Sequence, residues 1–98
     1  MIVAAARLTM IIPENDSLKG KRKIVKSLIE KARHKFDAAV AEVGDNDLWQ
    51  KAQVGIALVG NDPQLLEARM QQIMKFIENQ YIVEIIDSHK ELCYLKEE

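Results

Sequence analysis

Apolar residues recur at every second position across residues 2–12, and then the period changes. Ile2, Ala4, Ala6, Leu8, Met10 and Ile12 share one face of an extended chain, with Val3, Ala5, Arg7, Thr9 and Ile11 on the other. Pro13 ends that strand. From Ile24 onward the spacing is helical: Ile24, Val25, Leu28, Ile29, Ala32 and Phe36 form one stripe, opened by a cap at Asp16 or Ser17 and running to about Phe36. A chain that changes from period 2 to period 3.6 so early must pack a helix against a sheet.

The same alternation of periods continues. Residues 37–43 read as a second strand. The turn-rich Gly44-Asp45-Asn46-Asp47 leads into a third over residues 51–59, whose core face is Ala52, Val54, Ile56 and Leu58. Gly60-Asn61-Asp62-Pro63 places a capping side chain just before a proline, a helix start. The second helix buries Leu66, Met70, Ile73, Met74 and Ile77 and ends near Asn79 or Gln80. A last strand is expected over residues 81–88, with residues 89–98 as an extended or irregular tail. The order βαββαβ is that of an α+β, ferredoxin-like fold: a four-stranded antiparallel sheet with two helices on one face. The other face would carry Val3, Ala5, Ile11, Gln53, Gly55, Ala57 and Val59, too apolar to leave in water. A homodimer covering part of it is expected.

Ninety-eight residues make a single domain, and a composition 48% hydrophobic and 30% charged is that of a globular protein. No apolar run approaches the roughly 20 residues of a membrane span, and no secretory signal is evident, so a cytoplasmic protein is expected. One cysteine, Cys93, excludes an internal disulfide and leaves too few thiols for a structural zinc site.

Charge is distributed unevenly. Residues 17–36 hold eight of the fourteen lysines and arginines and one carboxylate, so this stretch carries plus seven while the whole chain carries minus one and the remainder minus eight. Lys19, Arg22, Lys23, Lys26, Glu30 and Arg33 fall on one outward stripe of the first helix. A solvated helix face is the plain alternative. Against it, Lys19, Lys21, Arg22 and Lys23 crowd the positive end of the helix dipole, where each cation costs on the order of 0.3–1 kcal/mol. Only Glu30 offers a partner at helix spacing. Phosphate would neutralise this surface, and Lys19, Lys21, Arg22, Lys23, Lys26 and Arg33 are the expected nucleic-acid contacts.

Other chemistry finds little support. RRM-type domains stack bases on aromatics of the two central strands, and residues 2–12 and 51–59 contain none; a KH-type GXXG loop is also missing. His34 and His89 lack a carboxylate at a motif spacing, and Cys93 reads as an incidental thiol. Glu42, Asp45 and Asp47 miss the EF-hand spacing, so no metal is expected, nor any cofactor. Trp49, the sole tryptophan, lies in a hairpin connection, either as a core anchor or as a partner contact. Nothing assembles a catalytic centre.

Ser17-Leu18-Lys19, Lys21-Arg22, Lys26-Ser27-Leu28, Val40-Ala41-Glu42-Val43, Asp47-Leu48-Trp49-Gln50-Lys51-Ala52, Gly55 and Gly60-Asn61-Asp62 together closely resemble the YlxP-like family of small bacterial proteins. The likeness runs over residues 2–88. It departs at Gly20, where the family leads one to expect an acidic residue, and in a longer stretch beyond Ser88. The resemblance implies a ferredoxin-like fold, a bacterial origin and genes near translation initiation and ribosome maturation factors. With the charge pattern it leads to a non-enzymatic protein associated with structured RNA or a ribosomal subunit. A protein-interaction or oligomer scaffold, using the same helix against an acidic protein surface, is the alternative.

Overall fold

The alternating segment at the start forms strand β1 (Ile2–Ile11), one of the two inner strands in a computed structural model describing residues 1–80 and 82–96. Helix α1 (Leu18–Phe36) follows, then β2 (Ala39–Gly44), β3 (Lys51–Gly60), α2 (Pro63–Glu78) and β4 (Glu84–Tyr94). The sheet order is β2-β3-β1-β4 with every neighbouring pair antiparallel, the ferredoxin-like arrangement. Both helices lie on one face: α1 approaches β2 and α2, and α2 approaches β1, β3 and β4.

The caps explain where the helices begin. Ser17, not Asp16, opens α1, its hydroxyl oxygen accepting from Gly20 N at 3.0 Å. Asp62 opens α2 by accepting from Gln64 N and Leu65 N, with Pro63 at the first position, where a missing N–H costs nothing. At the other end of α1, Asp37 takes the left-handed conformation at φ 51° and its N–H bonds Arg33 O. Asp37 therefore belongs to the helix terminus, which is why β2 starts at Ala39 rather than at residue 37.

The inward face of β1 is buried as the alternation requires, from Ile2 through Ile12, and meets Ala52, Val54, Ile56 and Leu58 of β3. Val25, Leu28 and Ala32 of α1 and Leu66, Met70, Ile73 and Ile77 of α2 close the core, with Ile24, Ile29, Phe36 and Met74 at its margin. Phe36 and Phe76 meet edge to face with centroids 5.5 Å apart, and Lys35 Nζ lies 5.0 Å from the Phe76 centroid.

The last strand differs from expectation. It runs to Tyr94, so much of the expected tail is sheet; Tyr81, where the strand was expected to start, and residues 97–98 lie outside the described residues. Six residues of β1, Ile2 through Arg7, pair with Tyr94 through His89. β4 is an edge strand in which only Ile85 and Leu92 are half-buried, so backbone pairing with β1 holds it where burial does little. Charged residues along such an edge also discourage stray pairing.

Candidate nucleic-acid interface

Lys19, Arg22, Lys23, Lys26 and Arg33 are all exposed along the outer side of α1. The first turn contains no acidic residue, and among the described residues none of the five forms an ion pair with a carboxylate. Arg33 is positioned by its Nε, which donates to Val40 O at 2.9 Å and braces α1 against β2. Beside it, a cleft of about 400 Å³ between α1 and β2 is lined by Arg22, Lys26 and Arg33 together with the carboxylates of Glu30 and Glu42. Five exposed cations on one helix can bind several phosphates of a folded RNA without reading its sequence.

Lys21 departs from the expected set. Its side chain is fully buried, its Nζ lies 3.1 Å from Glu42 Oε2, and it donates to Asp45 O. Lys21 therefore cannot reach a phosphate from this position. The reason is geometric: residues 21, 25, 28 and 32 are one helical stripe, so the side chain points inward with Val25, Leu28 and Ala32. Glu42 Oε2 is itself buried and makes no well-aligned hydrogen bond, so the Lys21 charge at 3.1 Å is what compensates it.

A buried asparagine extends this polar node, and sequence reasoning missed it. Asn15 Nδ2 donates to Ser17 O at 2.8 Å and to Trp49 O, while Gln50 Nε2 donates to Asn15 O at 2.9 Å. Ile12 N donates to Gln50 O at 2.8 Å. The start of α1 is thus tied to the β2–β3 connection at two places, Lys21 to Asp45 and Asn15 to Trp49. Gly20 carries the signal for this contact: a Cβ there would lie 2.4 Å from Asn15 Oδ1, so the acidic side chain the family resemblance led one to expect would have to displace Asn15 from its hydrogen bonds.

Trp49 settles as an exposed residue, 56% open, with Leu48 beside it at 47%. It is not a core anchor. Of the acidic trio near it, Glu42 faces Lys21, and Asp45 Oδ2 accepts from Gln53 Nε2 at 3.0 Å and lies 3.8 Å from Lys51 Nζ. Among the described residues no group of three or more His, Cys, Asp or Glu is placed to hold a metal. His34 is exposed, and His89 is an exposed neighbour of Glu91 at 3.2 Å, a pair worth little in solvent. Cys93 is a free, exposed thiol.

The sheet face opposite the helices holds a broad depression of about 750 Å³ over Ala5, Ala41, Gly55 and Ala57, bordered by Arg7 and His89. Val59, on the same outward face of β3, is 59% exposed. Val43, the extra residue of the bulge in β2, lies over Gly55, where a Cβ would come within 2.9 Å of Val43 Cγ1. The outward residues of β1 and β3 include no aromatic ring, so this face offers no base-stacking platform of the RRM kind.

Fold and surface define a small ferredoxin-like α+β protein with a basic outer helix and an apolar open sheet. A family model described as a protein of unknown function, DUF503, matches residues 3–90. The uncharacterized protein YlxP of Bacillus subtilis (strain 168) is 31% identical over 78 residues, covering 80% of this chain and 85% of that relative. The chain belongs to this DUF503, YlxP-like family. Among solved structures it is similar in fold to the de novo designed protein Foldit4, with a TM-score of 0.52 at 14% identity over 98% of this chain and 100% of that one. Among the described residues no helix is long and apolar enough to cross a membrane.

Proposed function

We propose that this protein is a non-enzymatic, cytoplasmic module that associates with structured RNA, or with a ribosomal subunit through its RNA, by means of α1. The observation that carries the reading is the set of five exposed cations, Lys19, Arg22, Lys23, Lys26 and Arg33, without ion pairs among the described residues. Lys19 stands in the first turn, where the dipole already disfavours positive charge and a bound phosphate relieves it, and Arg22 and Lys23 follow in the next turn. If all five engage, the slope of log affinity against log salt is about −4, and raising salt from about 50 to 200 mM weakens binding on the order of 10²-fold.

A second copy on the open sheet face accompanies this reading, since the apolar residues Ala5, Ala57 and Val59 are left there by the fold. The competing reading sets α1 against an acidic protein surface, and the net minus eight outside residues 17–36 supports it. Binding of ribosomal subunits and a structured RNA by the K19E/R22E/K26E variant, with its oligomeric state measured in parallel, separates the two. Loss of RNA binding with assembly intact supports the first reading. Loss of assembly with RNA binding intact supports the second.

A further inference from the structure

Trp49 is the largest apolar side chain left open on the described surface, and its burial does not explain its position. The backbone on either side of the ring is fastened instead. Trp49 O accepts from the buried Asn15, Gln50 bonds both Asn15 O and Ile12 N, and Leu48 N donates to Asp45 O at 3.1 Å. The ring is thus presented on a braced loop, and a partner that covers it loses little additional backbone freedom. Beside it lies an open depression of about 530 Å³ shared by Trp49, Leu48, Ile11 and Lys51.

One cation shares this depression, and others stand on the helix to which the loop is tied. Lys51 is in the same depression, its side chain 45% exposed and its Nζ loosely paired to Asp45 at 3.8 Å. Asn15 also joins Trp49 O to Ser17 O, at the start of the helix that carries the exposed Lys19. A wholly apolar protein pocket would take the indole but leave these cations unused. A nucleotide uses both, its base lying on the ring and its phosphates on the lysines. Paired bases are stacked on both faces, so the base must be unpaired, in a loop, bulge or end.

We propose that Trp49 is a stacking platform for one unpaired base of the RNA that α1 holds by its phosphates. This rests on the RNA reading above and adds the part of the ligand that the basic helix does not contact. Being the sole tryptophan, Trp49 reports on its own occupancy through intrinsic fluorescence.

The test titrates the whole protein with a stem-loop RNA carrying an unpaired adenosine loop, and with the same stem-loop whose loop is abasic. The proposal expects quenched emission and tighter binding with the first RNA only. Trp49→Ala should weaken binding of the adenosine loop about 5- to 150-fold without changing the salt slope, and Trp49→Phe should retain most of the affinity. Salt-dependent binding of both RNAs with equal affinity and unchanged emission overturns the stacking site while leaving the role of α1 standing. Failure to bind either RNA at low salt overturns both. Emission that changes with protein concentration alone, and not with RNA, overturns the proposal by assigning the ring to a contact between copies of the chain.

Discussion

Replacing Lys21 by Met would remove the cation that compensates a buried carboxylate. The Nζ lies 3.1 Å from Glu42 Oε2 and also donates to Asp45 O, and the lysine is closed to solvent while Glu42 keeps 18% of its side chain open. Breaking a buried ion pair from one side costs about 3–5 kcal/mol, and the partial opening of Glu42 places this case near 3 kcal/mol. With a urea slope of roughly 1–2 kcal/mol per molar for a small domain, the unfolding midpoint should fall by about 2 M. The double variant K21M/E42L removes both charges and should return to within about 1 kcal/mol of the parent. Under conditions where K21M stays folded, its RNA affinity should be unchanged, because Lys21 does not reach the surface. A K21M variant that loses less than about 1 kcal/mol, or one that is folded but no longer binds, would refute the assignment of Lys21 to the interior.

Gly20→Ala ought to stabilise a helix by about 1 kcal/mol on propensity alone. Here the added Cβ would stand 2.4 Å from Asn15 Oδ1, so we expect a net loss of about 1–2 kcal/mol in denaturant unfolding, with a shift in Trp49 emission as its loop is released. Truncation after Ser88 strips Ile2 through Arg7 of their β4 partners and makes that length of β1 an edge; circular dichroism should show no cooperative thermal transition. Ala57→Asp places a charge on the open sheet face, and sedimentation should show any homodimer reduced to monomers that remain folded.

Most of the fold was legible because most elements bury one regular face. In β1, β3 and α2 the inward residues follow period 2 or 3.6 without interruption, and Pro13 and the Asp62-Pro63 cap mark ends and starts that no partner is needed to interpret. β4 was legible only in part. Its run Asp87-Ser88-His89-Lys90-Glu91 has no apolar residue, and the strand exists because β1 offers it backbone partners along its length. Such long-range pairing leaves no local hydrophobic signature.

The candidate site divides in the same way. Lys19, Arg22, Lys23, Lys26 and Arg33 lie where the helical wheel puts them. Lys21 was assigned by its charge, although its position on the wheel already placed it with Val25, Leu28 and Ala32. A lysine in the apolar stripe is readable as a candidate buried charge, but its partner Glu42 lies on another element and becomes visible only when β2 packs beside α1. Asn15 carried no such sign. Its role depends on the loop from the other end of the β2–β3 connection arriving beside it, which no spacing in residues 13–20 reveals.

The most direct test of the central claim is a salt series of equilibrium binding to isolated ribosomal subunits and to a structured RNA, with the parent protein beside K19E/R22E/K26E and the oligomeric state of both measured. The account predicts a parent slope near −4 in log affinity against log salt, and loss of binding in the variant with fold and assembly retained. Binding that is absent at low salt, or equally strong in the variant, would contradict it.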